Sequence, residues 1–130
     1  MSAKFKTLIA TAIAAMALPV FAHHSMAGFD RTTTVSIEGT VKEFSWTNPH
    51  SWISVETMKD GKPVIWNFEM TAPGYLARAG WKKTSVQAGQ KVTITGNPIV
   101  TGEPGALFVS IKLPDGTVLT QQAAPATKGK

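Results

Sequence analysis

The sequence predicts an all-β domain with one short helix. Apolar and polar residues alternate with a period of two in several short segments, which is typical of half-buried strands. The dipeptide Asp60-Gly61 lies between two of these segments, and Asp-Gly in that setting favours a tight β-hairpin. Turns rich in glycine and proline separate the later segments. Together these observations predict a small antiparallel β structure.

The first 22 residues have the three parts of a cleavable export signal. Lys4 and Lys6 give a basic start, an apolar run covers residues 8–20, and Val20-Phe21-Ala22 carries small residues where a signal peptidase cleaves. The run is shorter than the roughly 20 residues that a membrane-spanning helix needs, although an uncleaved anchor is the alternative. We therefore expect a periplasmic or secreted bacterial protein that starts at residue 23 and has no membrane span after cleavage.

The composition limits what the mature chain can do. Removal of residues 1–22 leaves 108 residues with 11 basic and 8 acidic side chains, and the basic ones are scattered rather than clustered. This pattern does not favour nucleic-acid binding. The chain has no cysteine, so apolar burial must hold the fold without disulfides. Residues 23–120 are predicted to form one domain, and residues 121–130, which lack an apolar period, a disordered tail.

The first predicted strand is long and bent. Val35, Ile37, Gly39 and Val41 alternate with polar residues, which indicates a half-buried strand. The apolar parity then changes between Val41 and Phe44. A bulge or bend near residues 39–43 would explain the change.

The second and third strands are predicted at residues 51–58 and 63–70. The two-residue turn fixes the register by pairing Lys59 with Lys62. One face of the hairpin is then apolar and is expected to face the core; it carries Ile53, Val55, Thr57, Val64, Trp66 and Phe68. The opposite face carries Trp52 opposite Glu69, Ser54 opposite Asn67, and Glu56 opposite Ile65.

A short helix is predicted directly after this hairpin. Thr71 or Ala72 can serve as the N-cap, Pro73 suits the first turn, and Gly80 suits the position after the last turn. Because these signals are only a few residues apart, the helix is expected to have about two turns.

Two further strands complete the prediction. Val92 and Ile94 mark the fourth strand, and the fifth alternates between Leu107, Val109, Ile111 and Leu113 on one face and Phe108, Ser110 and Lys112 on the other. A turn at residues 114–116 then leads into residues 117–119. Three strands, a short helix and two strands is the chain order of an OB-fold, a five-stranded, partly open barrel. Another small β-barrel or sandwich with the same strand count is the alternative.

The three histidines are the candidate metal ligands. Signal cleavage would make His23 the first residue, so that its free α-amine and its ring Nδ1 can chelate one metal ion, with His24 or His50 adding a third nitrogen. Nitrogen-rich tetragonal sites suit Cu(II) or Ni(II), and copper has the highest affinity of the divalent ions. The sequence thus predicts a copper site. Two solvent-exposed histidines at a chain terminus, without biological use, are the alternative.

The outer face of the predicted hairpin is a second candidate site. His50 shares parity with Trp52, so an extended chain directs both toward Asn67 and Glu69. The outer face of these strands is a common binding surface in OB-folds. We therefore predict a ligand site at His50, Trp52, Asn67 and Glu69. Alternatively, His50 only caps the turn that Asn48-Pro49 indicates.

The other large apolar side chains are expected to be structural. Trp46, Trp66 and Trp81 are predicted in the core or at the barrel ends, since large aromatic residues usually supply burial first. Three methionines of the mature chain are possible soft copper ligands or core residues: Met26, Met58 and Met70, of which Met70 has core parity.

The chain resembles a family of small exported bacterial proteins whose domain has no assigned function. The residues that carry the resemblance are the start His23-His24-Ser25, the segments Trp46-Thr47-Asn48-Pro49-His50 and Trp66-Asn67-Phe68-Glu69-Met70, the pair Gly80-Trp81, and residues 89–98. The resemblance covers nearly the whole mature chain. It implies a periplasmic or secreted β-barrel domain and supplies no catalytic residues.

Three functional hypotheses follow from these residues. The first is a non-enzymatic periplasmic binding module that takes copper through His23. The second is a module whose outer hairpin face binds a small organic ligand, a glycan or a partner protein without a metal. The third is a copper-dependent oxidative enzyme. Motifs for serine hydrolases, zinc proteases and phosphate loops are absent from the sequence, which favours binding over catalysis.

Overall fold

The computed structural model describes residues 28–122. Within them the elements in chain order are β1 (Val35–Ser45), β2 (Trp52–Lys59), β3 (Lys62–Glu69), α1 (Pro73–Arg78), β4 (Lys91–Pro98), β5 (Gly105–Lys112) and β6 (Val118–Thr120). The predicted export signal, His23, His24 and Met26 lie outside the described residues, as do residues 123–130 of the predicted tail.

The strands form a closed barrel. The sheet order is β3-β2-β1-β4-β5-β6, and a parallel pairing of β3 with β5 closes the first five strands into a ring. The short helix α1 connects β3 with β4, and β6 extends the sheet beside β5. The prediction of an all-β, OB-like barrel with five strands and a helix between the third and fourth is confirmed.

The predicted hairpin register is correct. Lys59 pairs with Lys62, and the remaining pairs of β2 and β3 follow from that turn through to Trp52 opposite Glu69. Asp60 and Gly61 both have positive φ angles, 51° and 74°, as a two-residue hairpin turn requires. Ile53, Val55 and Phe68 are fully buried, while Thr57, Val64 and Trp66 on the same face, which lie nearer the turn, are only partly buried.

The predicted irregularity of β1 is also present. Val41 pairs with Val55 and Glu43 pairs with Ser54, so Lys42 is an extra residue in β1 and forms a β-bulge. The bulge lets β1 bend so that it pairs with β2 along one part and with β4 along another. Val41 stays in the core, and the parity change seen in the sequence follows from this one residue.

A second bulge in β5 changes the predicted core. Thr95 pairs with Ser110 and Gly96 pairs with Phe108, so Val109 is the extra residue and is 41% exposed. The alternation in the sequence predicted that Val109 shares a face with Ile111. That part of the prediction is wrong, because the bulge turns Phe108 rather than Val109 toward the core.

Helix α1 lies at one end of the barrel. Ala72 is its N-cap residue and Ala79 its C-cap residue, so Gly80, with φ 93°, occupies the predicted position after the helix. Leu76 is fully buried and Trp81 is 4% exposed. No helix of the described residues has the length and apolarity needed to cross a membrane.

The aromatic predictions hold in outline. The indole nitrogen of Trp81 donates a hydrogen bond to the carbonyl of Thr120 at 2.7 Å, which fastens β6 to the barrel end. Trp46 and Trp66 are partly buried against the core, and Met70 is buried as its parity predicted. Met58, in contrast, is 63% exposed.

Candidate functional site

The first described residues pair with the end of β4. The amide of Asp30 donates to the carbonyl of Pro98 at 2.8 Å, and the amide of Val100 donates to the carbonyl of Gly28 at 3.0 Å. These bonds hold Gly28 beside the loop that joins β4 to β5. Gly28 shares a cleft with Trp52, Asn67 and Glu69, on the face of β2 and β3 where the sequence predicted a binding surface.

Asp30 anchors the turn that follows this segment. Its carboxylate accepts hydrogen bonds from the hydroxyls of Thr32 and Thr33 at 2.6 and 2.7 Å and from the amide of Thr32 at 3.0 Å. These donors stabilise the charged form, and the Thr32 hydroxyl contributes most to lowering the pKa of Asp30 below its ordinary value. The turn thereby fixes the direction in which residues 28–30 cross the barrel.

Two clefts lie along this segment. The first, with a volume of about 700 Å³, has Phe29, Arg31, His50, Glu69 and Gln121 among its walls. The second, with a volume of about 610 Å³, has Phe29, Trp52, Asn67, Glu69 and Glu103 among its walls. Both volumes fall within the range of small-molecule sites. Glu69 and Phe29 line both clefts, so they form part of the wall between them.

The imidazole of His50 has a defined orientation. Its Nδ1 lies 2.9 Å from the carbonyl oxygen of Met70 and 3.2 Å from Oε1 of Glu69. Both neighbours are acceptors, so in the neutral ring the hydrogen belongs on Nδ1 and the lone pair on Nε2. No residue of the described chain forms a hydrogen bond with Nε2. The side chain is 48% exposed and lines the first cleft.

Glu69 is the buried charged group of the site. The residue is only 7% exposed although the sequence pattern assigned it to the outer face of the hairpin. The assignment of the face is correct, since Glu69 pairs opposite Trp52. Distant parts of the chain surround it: Glu69 pairs with Leu107 of β5, and Phe29 shares the walls of both clefts with it. Within residues 28–122, His50 is its one ionic partner.

The four residues of the predicted ligand site separate into two groups. His50 lines the first cleft, Trp52 and Asn67 line the second, and Glu69 lines both. The Oδ1 of Asn67 accepts a hydrogen bond from the hydroxyl of Ser54 at 2.7 Å, as their pairing across the hairpin allows. The predicted residues therefore share one surface, and of the four only Glu69 lines both clefts.

The alternative role of His50 as a turn cap does not match its contacts. Its ring bonds to the end of β3, twenty residues away, rather than to the preceding turn. Thr47 holds that turn instead, because its hydroxyl donates to the carbonyl of His50 at 3.2 Å.

The described residues alone do not assemble a metal site. Among residues 28–122, no group of three or more histidine, aspartate or glutamate side chains converges on one point. His50 brings one ring nitrogen to the predicted copper site. His23 and His24 lie outside the described residues, so the geometry of the complete ligand set stays a prediction.

Some residues of the two clefts were not identified from the sequence. Arg31 and Gln121 line the first cleft, and Glu103 lines the second. Gln121, which was assigned to the tail, hydrogen-bonds through its side chain to the amide of Thr71 and to the carbonyl of Phe108. A signal for Glu103 existed, because the loop between the last two barrel strands borders the ligand face of OB-folds.

Comparison with known proteins gives one family. The model of a family of unknown function, DUF6152, matches residues 10–108. No curated protein matches the chain. The matched range includes β1 to β4, and thus the β2–β3 hairpin that borders both clefts, and the first half of β5.

Proposed function

Because the chain belongs to this family of unknown function, which assigns no activity, we propose from the geometry of the site that the protein is an exported, non-enzymatic module that binds a copper ion. The observation that carries the proposal is the orientation of His50. Its Nδ1 faces two oxygen acceptors, which leaves Nε2 as the ring nitrogen for a metal, and the half-exposed side chain lines a cleft of about 700 Å³.

The contacts of His50 resemble those of a metal ligand. A metal-binding histidine almost always donates its second ring N–H to a carboxylate or a backbone carbonyl, which fixes the tautomer and the ring plane. Here Glu69 and the carbonyl of Met70 provide both kinds of acceptor. The buried carboxylate also favours a positive ion nearby, because within residues 28–122 His50 is its one ionic partner.

The short chain between the predicted mature N-terminus and Gly28 supports a contribution of the N-terminal histidines to the site. His24 precedes Gly28 by four residues, which span at most about 14 Å when extended. Gly28 lines the second cleft together with Glu69, and Glu69 contacts His50. The α-amine and ring of His23 with Nε2 of His50 would supply three nitrogens, and His24 is the alternative third ligand. Such a set suits Cu(II).

Export is part of the same proposal. The basic start, the apolar run and the small residues before position 23 support removal of residues 1–22 and a periplasmic or secreted location. Cleavage at that point is what creates the free amine of His23. The copper site therefore requires the processed form of the chain.

Titration of the processed protein with Cu(II) tests the proposal. Isothermal titration should give one site, and electron paramagnetic resonance should show nitrogen ligands. One extra residue placed before His23 should weaken binding by about tenfold or more, and so should His50→Ala. One extra residue after Lys130 is the matched control and should have no effect. Equal copper affinity in the N-terminally extended and unextended proteins would show that the chelate is wrong.

A further inference from the structure

The second cleft has a charge character opposite to that of the chain. The chain carries a formal net charge of +5, and its basic residues are spread over the surface. Among the described residues that line this cleft are the carboxylates of Glu69 and Glu103, and none is a lysine, arginine or histidine. The cleft is therefore a local acidic space on a basic protein, which favours a cationic occupant.

One of the two acids of this cleft, Glu69, is a buried carboxylate and not a surface charge. The side chain of Glu69 is 9% exposed, and its one ionic partner in the described chain is the His50 ring, which is a cation only when it is protonated. A carboxylate in such surroundings is costly unless a positive group compensates for it. A cation in the second cleft, which Glu69 lines and His50 does not, would provide that compensation.

An aromatic wall stands next to this carboxylate. Trp52 is directly opposite Glu69 in the hairpin register, so the two side chains leave the same face of the sheet as neighbours. Tryptophan is the side chain whose face attracts cations best. Ile99, Val100 and Pro104 add apolar surface from the loop between β4 and β5, and Val100 is 62% exposed.

We propose that the second cleft binds an organic cation of the substituted-ammonium class. The ammonium group would lie between the indole of Trp52 and the carboxylates of Glu69 and Glu103, with its alkyl groups against residues 99–104. A space of about 610 Å³ accommodates a small molecule of this kind. The proposal shares Glu69 with the copper site but uses neither His23 nor the ring of His50, so the two sites can be tested separately.

A pair of isosteric probes separates charge from shape. Choline and the neutral 3,3-dimethylbutan-1-ol have nearly the same shape, and only choline is charged. Each is titrated to about 100 mM into the processed protein with a chelator present, and binding is followed by amide and indole NMR shifts. We expect choline to shift Trp52 and residues 99–105 saturably and the alcohol to bind about tenfold more weakly. Equal binding of both probes, or no saturable shift with choline, would overturn the proposal.

Two substitutions locate the site. Glu103 lies in an exposed loop, and Glu103→Gln should weaken choline binding about threefold. Trp52→Phe keeps an aromatic ring and should weaken choline binding further. Glu38→Gln removes an exposed acid that is not part of the cleft wall and is the matched control. If Glu38→Gln weakens binding as much as Glu103→Gln does, choline senses only the net charge and the assigned site is wrong.

The copper and cation sites can fail separately. His50→Ala should leave choline binding in place, because His50 is not among the residues that line the second cleft. A protein that binds choline and not copper would support the cation site alone, and the reverse result would support the copper site alone.

Discussion

Single residues near the clefts show how distant chain segments change a side chain's chemistry. The alternation of β3 correctly placed Glu69 on the outer face, and alternation alone predicts an exposed acid there. The structure gives a buried carboxylate, at a position where β3 pairs with the distant strand β5 and Phe29 lines the same clefts. Nothing local to Glu69 in the sequence encodes this burial. The face of the sheet on which Glu69 lies was predictable from the sequence, and the burial of its carboxylate was not.

Ser51 is a second residue whose surroundings only the structure reveals. It is fully buried, and its hydroxyl has no hydrogen-bond partner among the described residues. Its backbone, in contrast, bonds on both sides, to the carbonyl of Thr71 and the amide of Met70. A buried hydroxyl without a partner costs free energy, whereas a methyl group at the same place does not.

We predict that Ser51→Ala leaves the free energy of unfolding unchanged or raises it by up to about 1 kcal/mol, measured by urea denaturation. Ile53→Ala, two residues further on in the same buried row, is the control and should lower it by about 3 kcal/mol, because it leaves a cavity. A loss of more than about 1 kcal/mol in Ser51→Ala would mean that the hydroxyl has a partner such as a buried water molecule.

At the scale of elements, the sequence predicted the β2–β3 turn and one of the two bulges. Asp60-Gly61 fixed the β2–β3 register because a two-residue turn leaves no freedom in pairing. The bulge at Lys42 was visible because the apolar parity breaks there. The bulge at Val109 was hidden, since Val109 and Ile111 preserve an apolar alternation that the fold does not use.

The close approach of β1 to β2 depends on a residue without a side chain. A Cβ atom on Gly39 would lie 2.3 Å from the carbonyl oxygen of Glu56 on β2. That contact involves backbone, so it cannot be relieved by a rotamer change. Gly74 in α1 offers a matched comparison, because a Cβ atom there would meet nothing within 4 Å.

Gly39→Ala should therefore lower the free energy of unfolding by about 1–3 kcal/mol, since β1 and β2 must move apart. Gly74→Ala should raise it by up to about 1 kcal/mol, because alanine restricts the unfolded chain and favours the helix. Thermal and urea denaturation of both variants measure the difference. Similar effects of the two substitutions would show that the close approach of β1 to β2 is not needed.

The segment before β1 should make stability depend on pH. The Thr32 and Thr33 hydroxyls lower the pKa of Asp30 in the folded protein, so the carboxylate stabilises the fold above its unfolded value of 3.8. This contribution is lost as the pH falls through the lower, folded pKa. Asp115 follows the same rule, because the amide and hydroxyl of Thr117 lower its pKa.

We expect Asp30→Asn to reduce the loss of stability that the protein shows on acidification from about pH 5 to pH 2. Asparagine keeps an acceptor oxygen for Thr32 but cannot titrate. Urea denaturation at several pH values measures the slope, and Asp30→Asn with Asp115→Asn should flatten it more than either change alone. An unchanged slope in the double variant would contradict the assigned hydrogen bonds.

At the scale of the whole molecule, the candidate site lies where the barrel closes. Residues 67–69 of β3 pair in parallel with β5, and Asn67 and Glu69 belong to this seam. Residues 28–30 cross the barrel beside it through bonds to Pro98 and Val100. The strand order allowed the barrel to be predicted, but the pairing of β3 with β5 joins residues about forty positions apart, and no local pattern specifies it. The two clefts were therefore beyond what the sequence could show.

If the seam and the mature N-terminus together hold copper, the metal should stabilise the entire fold. A ligand that binds only the folded state adds about 2.7 kcal/mol at a concentration one hundred times its dissociation constant, and the melting temperature should rise accordingly. A chelator should reverse the rise. Glu69→Gln should reduce it, because the loss of the carboxylate that orients His50 weakens metal binding about 10–100-fold. Glu103→Gln removes an acid of the second cleft that has no contact with His50 and should keep the full rise. A rise that survives in Glu69→Gln and is lost in Glu103→Gln would place the metal in the second cleft and refute the role assigned to His50.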